Sequence, residues 1–175
     1  FSYDPDLGAM LGFSERAAYM RDKDTWRQIG ESEATLVSSG GSAAIYLPHR
    51  KEHLLAVLGH GGPKEKGSLV VFSAAEKKGR RGPELPAALA ARVAPGTGGY
   101  NLVMGYDSSR ERVLFMSSDA AMHPEVWAFD PAANRWDAMG ASDSAPKLVG
   151  VFEPGRGRAP LIYDSARNVF YLLIR

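Results

Sequence analysis

Four segments of the chain share one pattern, and this internal repeat limits the possible folds more than any other feature. Each segment has an apolar lead-in, a tyrosine, a polar turn and a second apolar run, with the tyrosines at Tyr3, Tyr46, Tyr106 and Tyr163. In three of the four segments the tyrosine is followed by Asp and then by Pro or Ser. Such pairs initiate turns because the Asp side chain hydrogen-bonds its own backbone. Apolar runs on both sides of a turn predict a β-hairpin in each segment.

A second pattern follows two of these hairpins. Residues 17–33 match residues 127–143, because each segment ends in Trp-x-x-[Ile/Met]-Gly-x-Ser-[Glu/Asp] and has an aromatic residue seven positions before the Trp. In this alignment Tyr19 corresponds to Phe129, and residues 69–79 form a weaker copy without the Trp. Each full unit therefore contains four short strands in roughly 50 residues, which is typical of a β-propeller blade.

The sequence thus predicts an all-β chain that is a portion of a β-propeller, built of four-stranded antiparallel blades. The approximate blades are residues 1–33, 34–95 and 96–143, with a half blade at 144–175. Closed propellers have roughly four to eight blades. We therefore expect an unpaired edge strand in the half blade and an uncovered blade face near Phe1. The expected partner is the remaining half of the propeller, either another stretch of the same gene product, which we favour because the chain does not begin with Met, or a second copy.

The chain resembles the kelch-type β-propeller family over nearly its whole length. The resemblance is carried by Gly61-Gly62 after the second strand of one blade, by the aromatic–Trp spacing, and by EVWAFDPAANRWDAM at 125–139. It implies that a binding site often lies on the face formed by the loops between second and third strands and by the links between blades. The alternative is that these are ordinary exposed loop residues. The candidate binding residues on that face are His60, His123, Arg156, Arg158, Glu15, Ser14, Ser39, Gly40 and Gly41.

Enzymes with propeller folds need residues that this sequence lacks. Copper-radical oxidases share the kelch-like fold, but their site requires a cysteine crosslinked to tyrosine, and the chain has no Cys. Sialidase propellers carry Ser-x-Asp-x-Gly-x-Thr-Trp boxes, of which RDKDTW at 21–26 keeps only the Thr-Trp. The absence of Cys also removes disulfides, zinc–thiolate sites and cysteine nucleophiles.

Residues 49–53 match H-x-x-E-H, the zinc pattern of inverted zinc peptidases. A zinc helix needs both histidines on one face, with the Glu beside them. Pro48 is allowed at a first helical position, but the segment aligns with the polar turn of another hairpin at 109–112. Positions four apart in a turn share no fixed face. We therefore favour a solvated turn over a zinc site, and we predict no cofactor.

Other segments are less specific. The basic run EKKGRRGPE at 76–84 is interpreted as a solvated loop between third and fourth strands rather than a polyanion site. The Gly-rich stretch at 95–101 lacks the Lys-Ser/Thr of a phosphate loop, so we interpret it as a turn between blades. The Ala-rich segment 82–99 takes the place of the expected fourth strand and link. It is either a short helical turn or an irregular outer strand.

The composition limits the partners. The chain is 45% hydrophobic with a net charge of +1, which is enough apolar material for a core and too little positive charge for a dedicated nucleic-acid binder. It contains no apolar run of about 18 residues, so no membrane span is predicted. The compartment is left open, with an extracytoplasmic or secreted location preferred.

These observations predict a non-catalytic binding or scaffold module that recognises a protein or a glycan through the loops on one face. Two alternatives remain. One is a hydrolase or oxidase whose catalytic residues lie partly in the missing half of the propeller. The other is a structural subunit of a larger assembly, in which a partner covers the open edges.

Overall fold

A computed structural model describes residues 1–37, 42–57, 67–92, 102–118, 124–141 and 161–172. Within these ranges the chain forms fourteen strands and one short helix. The first eight strands are β1 (Ser2–Asp4), β2 (Ala9–Phe13), β3 (Ala17–Asp22), β4 (Thr25–Ser32), β5 (Ser42–Leu47), β6 (Glu52–Val57), β7 (Ser68–Ser73) and β8 (Lys78–Arg81). They are followed by α1 (Ala87–Arg92), β9 (Val103–Asp107), β10 (Arg112–Ser118), β11 (Pro124–Asp130), β12 (Arg135–Ala141), β13 (Leu161–Asp164) and β14 (Val169–Leu172).

The strands form antiparallel blades, so the predicted all-β fold of propeller blades is confirmed. We call β1–β4 blade 1, β5–β8 blade 2, β9–β12 blade 3 and the hairpin β13–β14 blade 4. Within each blade, consecutive strands pair antiparallel. The first strands of successive blades contact one another, β1 with β5, β5 with β9, and β9 with β13. A short parallel pairing of Glu31 with Lys78 and Ser32 with Gly79 also joins the outer strands of blades 1 and 2.

Tight turns connect the strands within each blade on one side of the molecule. Each turn has one residue in the left-handed region, with φ between 50° and 62°. In four turns an Asp Oδ1 accepts the backbone N–H groups two and three residues later, at 2.9–3.1 Å. The predicted role of Asp in these turns is therefore present. The four aspartates are Asp4, Asp107, Asp130 and Asp164.

The hydrophobic core lies in layers between the blades. Leu11 of blade 1 packs with Leu55 and Phe72 of blade 2 in one cluster. A second cluster joins Leu54 of blade 2 to Phe115 of blade 3. In β6 and β7 all residues after the first are buried, because each face of these strands meets a different neighbouring blade.

The Trp-x-x-[Ile/Met]-Gly repeat encodes a β-bulge in the outer strand of the blade. The pairing register shifts at Ala18 in blade 1 and at Val126 in blade 3, leaving the Ile or Met of each repeat without a partner. The register also corrects the sequence alignment of the third strands. Tyr19 pairs opposite Gly12 and corresponds to Trp127, which pairs opposite Phe115, rather than to Phe129. The reason is that the β3–β4 turn is two residues shorter than the β11–β12 turn.

Two local predictions in blade 2 need correction or refinement. Lys78–Arg81, predicted as part of a solvated loop, is the strand β8, because Gly79 allows close approach to the neighbouring blade. The Ala-rich segment contains the helix α1, whose Leu89 is fully buried, while residues 93–101 lie outside the described residues. In the described part of the chain, no helix has the length and apolar character that crossing a membrane requires.

Candidate functional site

Most of the predicted loop residues cannot be placed. His60, His123, Arg156 and Arg158 lie outside the described residues, as do Ser39, Gly40 and Gly41. Ser14 and Glu15 lie in the exposed connection between β2 and β3. The Ser14 N–H donates to the carbonyl of Ala17 at 2.9 Å, and the Glu15 carbonyl accepts the N–H of Leu36 at 2.8 Å. The backbone of this connection therefore holds the segment that follows β4.

Beside this connection lies a cleft of about 630 Å³ between the outer strands of blades 1 and 2. Its charged side chains are exposed and of both signs, Arg16 and Lys78 against Glu31 and Glu33. The Gln28 amide donates to Glu31 at 3.3 Å. The described lining residues, none of them aromatic, are Ser14, Arg16, Ala17, Gln28, Glu31, Ser32, Glu33, Lys78 and Gly79.

A close approach of two backbones shapes one wall of the cleft. The N–H of Glu31 donates to the carbonyl of Lys77 at 3.1 Å. A Cβ atom placed on Gly30 would lie 2.4 Å from that same carbonyl oxygen. One placed on Gly79 would lie 2.3 Å from the Ser32 hydroxyl. Only glycine fits at these two positions without displacing the neighbouring strand.

A second polar cluster is buried between blades 1 and 2. His53 of β6 is fully buried, and its Nε2 lies 3.0 Å from Asp4 Oδ2 while its Nδ1 lies 3.0 Å from the Ser2 hydroxyl. The carboxylate can only accept, so Nε2 carries the proton and donates it to Asp4, and Nδ1 accepts from Ser2. Burial lowers the pKa of His53, against the opposing effect of the Asp4 hydrogen bond and charge.

The Ser2–His53–Asp4 cluster has the residue types of a hydrolytic triad but is built as a link between blades. All three side chains are buried, with Ser2 7% exposed and Asp4 2%, so a substrate has no access to the serine hydroxyl. The other oxygen of Asp4 already accepts two turn N–H groups. We therefore interpret the cluster as structural.

The H-x-x-E-H residues separate into three different environments. His49 lies in an exposed turn, with Nε2 3.1 Å from Glu111 of blade 3. Glu52 accepts from Arg50 at 2.8 Å and also from Arg80. His53 is in the strand β6 rather than in the predicted solvated turn, because this strand begins two residues before the apolar run 54–57. The described residues contain no group of three potential metal ligands.

Three buried polar atoms in the described part of the chain have no hydrogen-bond partner, Tyr46 Oη, Ser117 Oγ and Trp127 Nε1. Burial raises the pKa of Tyr46 to about 12, with further contributions from Asp6 and Asp4. The Asp6 carboxylate is near but outside hydrogen-bond geometry.

No protein-family model and no curated protein matches the chain.

Proposed function

We propose that the chain is a non-catalytic binding module of a kelch-like β-propeller, and that it holds a segment of a partner protein in the cleft between blades 1 and 2. The observation that carries the proposal is the cleft itself, about 630 Å³ in volume and lined by exposed charges of both signs. It lies beside the β2–β3 connection, a loop of the kind that carries binding residues in rigid scaffolds.

The lining favours a peptide over the other ligand class that the sequence predicts, a glycan. Sites for small ligands are lined mostly by apolar and aromatic side chains, with a few polar groups, whereas this lining has no aromatic residue. Arg16 and Lys78 can bind carboxylates of a partner, and Glu31 and Glu33 can bind its cations. Pairing charges in this way gives specificity and fast association more than high affinity.

Rigidity of the wall supports the same proposal. The Glu31–Lys77 and Ser32–Arg16 backbone hydrogen bonds, at 3.1 and 2.9 Å, hold the outer strand of blade 1 against its neighbours. A cleft that is formed before the ligand arrives loses less conformational entropy on binding.

The test uses an array of synthetic peptides with mixed Lys/Glu composition, followed by fluorescence polarisation of the best binder. We expect Arg16→Glu together with Lys78→Glu to weaken binding at least tenfold, about 1.4 kcal/mol. The control is Arg27→Glu, an exposed cation of β4 that does not line the cleft. Equal loss of binding in both variants, or no binder on the array, would count against the cleft.

A parallel experiment tests the predicted loop residues. Alanine at Glu15, His60, His123, Arg156 or Arg158 should weaken peptide binding if the loop face contributes to the site. If all five variants bind like the unmodified chain while the cleft variants do not, recognition is confined to the cleft.

A further inference from the structure

Each blade has one face toward the blade before it and one toward the blade after it, and the register shows which residues occupy each. In blades 2 and 3 the cross-strand pairs Tyr46–His53 and Tyr106–Val113 face the preceding blade. The same position in blade 1 is the pair Tyr3–Met10. His53 and Val113 are fully buried, whereas Tyr3 is 55% exposed. The preceding face of blade 1 therefore has the construction of an interface, but no blade in the described part of the chain packs against it.

The repeated tryptophans lead to the same conclusion. Trp136 of blade 3 packs on Phe115 and Phe129, with ring centroids 4.9 and 4.7 Å away, and its Nε1 donates to the Glu84 carbonyl beyond blade 2 at 3.0 Å. Trp26 is its equivalent in blade 1 by motif and by register. It is 45% exposed and contacts the ring of Phe1, which is 82% exposed.

The opposite end of the chain presents the complementary kind of face. In blade 2 the pair Ile45–Leu54 faces blade 3, and Leu54 is 1% exposed. The same position in blade 4 is the pair Ile162–Tyr171, with 47% and 45% exposure. Blade 4 thus presents the face that normally meets the next blade, and blade 1 presents the face that normally meets the blade before it. Together these two faces are the two sides of one inter-blade junction.

The tight turns add charge pairs across the first two junctions, between blades 1 and 2 and between blades 2 and 3. Lys51 of blade 2 pairs with Asp6 of blade 1 at 3.3 Å, and Glu111 of blade 3 pairs with His49 of blade 2 at 3.1 Å. In each pair, one partner is the turn residue with positive φ, Lys51 or Glu111. The other partner is the residue three positions after the repeated tyrosine of the preceding blade, Asp6 or His49. At the two ends these positions are Gly8 and Ala166. A junction between blade 4 and blade 1 therefore has no charged residue at these two positions.

We propose that two copies of this chain associate head to tail, blade 4 of each copy packing on blade 1 of the other, to close a ring of about seven to eight blades. Each copy has both sides of the junction, one on blade 1 and one on blade 4. In a ring of two copies, each of these faces packs against the other copy. Closed two-fold assemblies are the commonest oligomers of soluble proteins. The proposal continues the interface that already joins blades 1, 2 and 3, and it is independent of the function of the cleft.

Sedimentation equilibrium tests the association. We expect the unmodified chain to have twice the mass of a single chain, and Trp26→Glu or Tyr171→Glu to give monomers with unchanged circular dichroism. Both residues are largely exposed, so their replacement leaves the core of each copy intact. Met139→Glu, at a 62% exposed position of the outer bulge, is the control and should remain a dimer. A monomeric unmodified chain at about 100 μM, or a dimeric Trp26→Glu variant, overturns the proposal.

The direction of packing is tested by disulfide trapping, since the chain has no native Cys. A mixture of Gly8→Cys and Ala166→Cys chains should give a crosslinked dimer under mild oxidation, whereas neither variant alone should. The control mixture, Met139→Cys with Ala166→Cys, should stay uncrosslinked. Crosslinking of Gly8→Cys alone would show blade 1 packing on blade 1, and no crosslink in the first mixture would exclude head-to-tail packing; either result overturns the proposal.

Discussion

His53 illustrates how one polar side chain is accommodated within an apolar layer between blades. Its two ring nitrogens are both satisfied, one by Asp4 and one by Ser2, at 3.0 Å each. The rings of Phe13 and Tyr46 lie 5.9 and 5.0 Å from the imidazole centroid. A buried polar group costs free energy unless it is hydrogen-bonded. Asp4 and Ser2 satisfy the buried imidazole, and the imidazole in turn satisfies them.

We predict that His53 makes stability depend on pH below neutrality. Because burial lowers its folded-state pKa, the unfolded state binds the proton first as pH falls. The stabilisation is complete above the unfolded value of about 6.5 and is lost as pH falls toward the lowered folded pKa. Urea unfolding at pH 7.5 and 5.5 should show this loss.

His53→Leu should reduce the free energy of unfolding at pH 7.5 by about 1–3 kcal/mol, because Asp4 and Ser2 lose a buried partner. It should also flatten the dependence between pH 7.5 and 5.5. His49→Gln, at an exposed position, should keep the dependence because His53 remains. An unchanged pH profile in His53→Leu would contradict the assignment.

At the scale of the elements, the outer strand β4 needs a glycine for its close approach to the chain before β8. Gly30 follows the bulge residue Ile29, and the Lys77 carbonyl occupies the space of its missing Cβ. The adjacent N–H of Glu31 bonds that carbonyl. The bulge therefore positions β4 for its parallel contact with β8, which in turn forms the wall of the cleft.

Gly30→Ala should therefore separate β4 from β8 and lower the free energy of unfolding by about 1–3 kcal/mol, as overpacking does. Peptide binding in the cleft should weaken with it. Gly12→Ala is the control at protein concentrations at which the chain is monomeric, because its nearest contact is then the exposed Trp26 ring at 3.0 Å, which can move. Equal stability of the two variants, measured by urea unfolding, would show that the close approach at Gly30 is not structurally important.

The elements also show what the sequence could and could not predict. Hairpins at Tyr3, Tyr46, Tyr106 and Tyr163 were predictable because turn residues and apolar runs are local signals. Strand β8 was missed because a short basic stretch carries no apolar alternation, and its place is decided by contact with another blade. The cleft was not predicted, since it arises where two distant strands meet. Glu15 was predicted as a residue of the loop face only by analogy between loops, and it lies between the lining residues Ser14 and Arg16.

At the scale of the molecule, the described strands of blades 1 to 4 form a linear series, in which the first strand of each blade contacts that of the next. The pairs Asp6–Lys51 and His49–Glu111 cross two of these junctions, but they are exposed, and such pairs contribute only about 0–1 kcal/mol. The apolar layers therefore supply most of the cohesion. A series of this kind is stabilised by the sum of its units and their interfaces, and its end units open first.

Native-state hydrogen exchange should reveal this order. Blade 2 is covered on both faces, and β6 and β7 are buried along almost their whole length, so their amides should exchange most slowly. Blade 4 has two described strands, with Ile162, Val169 and Tyr171 exposed on its outer side. Its amides should exchange at least about tenfold faster at low protein concentration, through local opening.

If two copies close the ring, protection of β13 and β14 should rise with protein concentration while that of β6 and β7 changes little. Uniform protection of all blades at low concentration would contradict the linear series and would mean that the end blades are stabilised within a single chain.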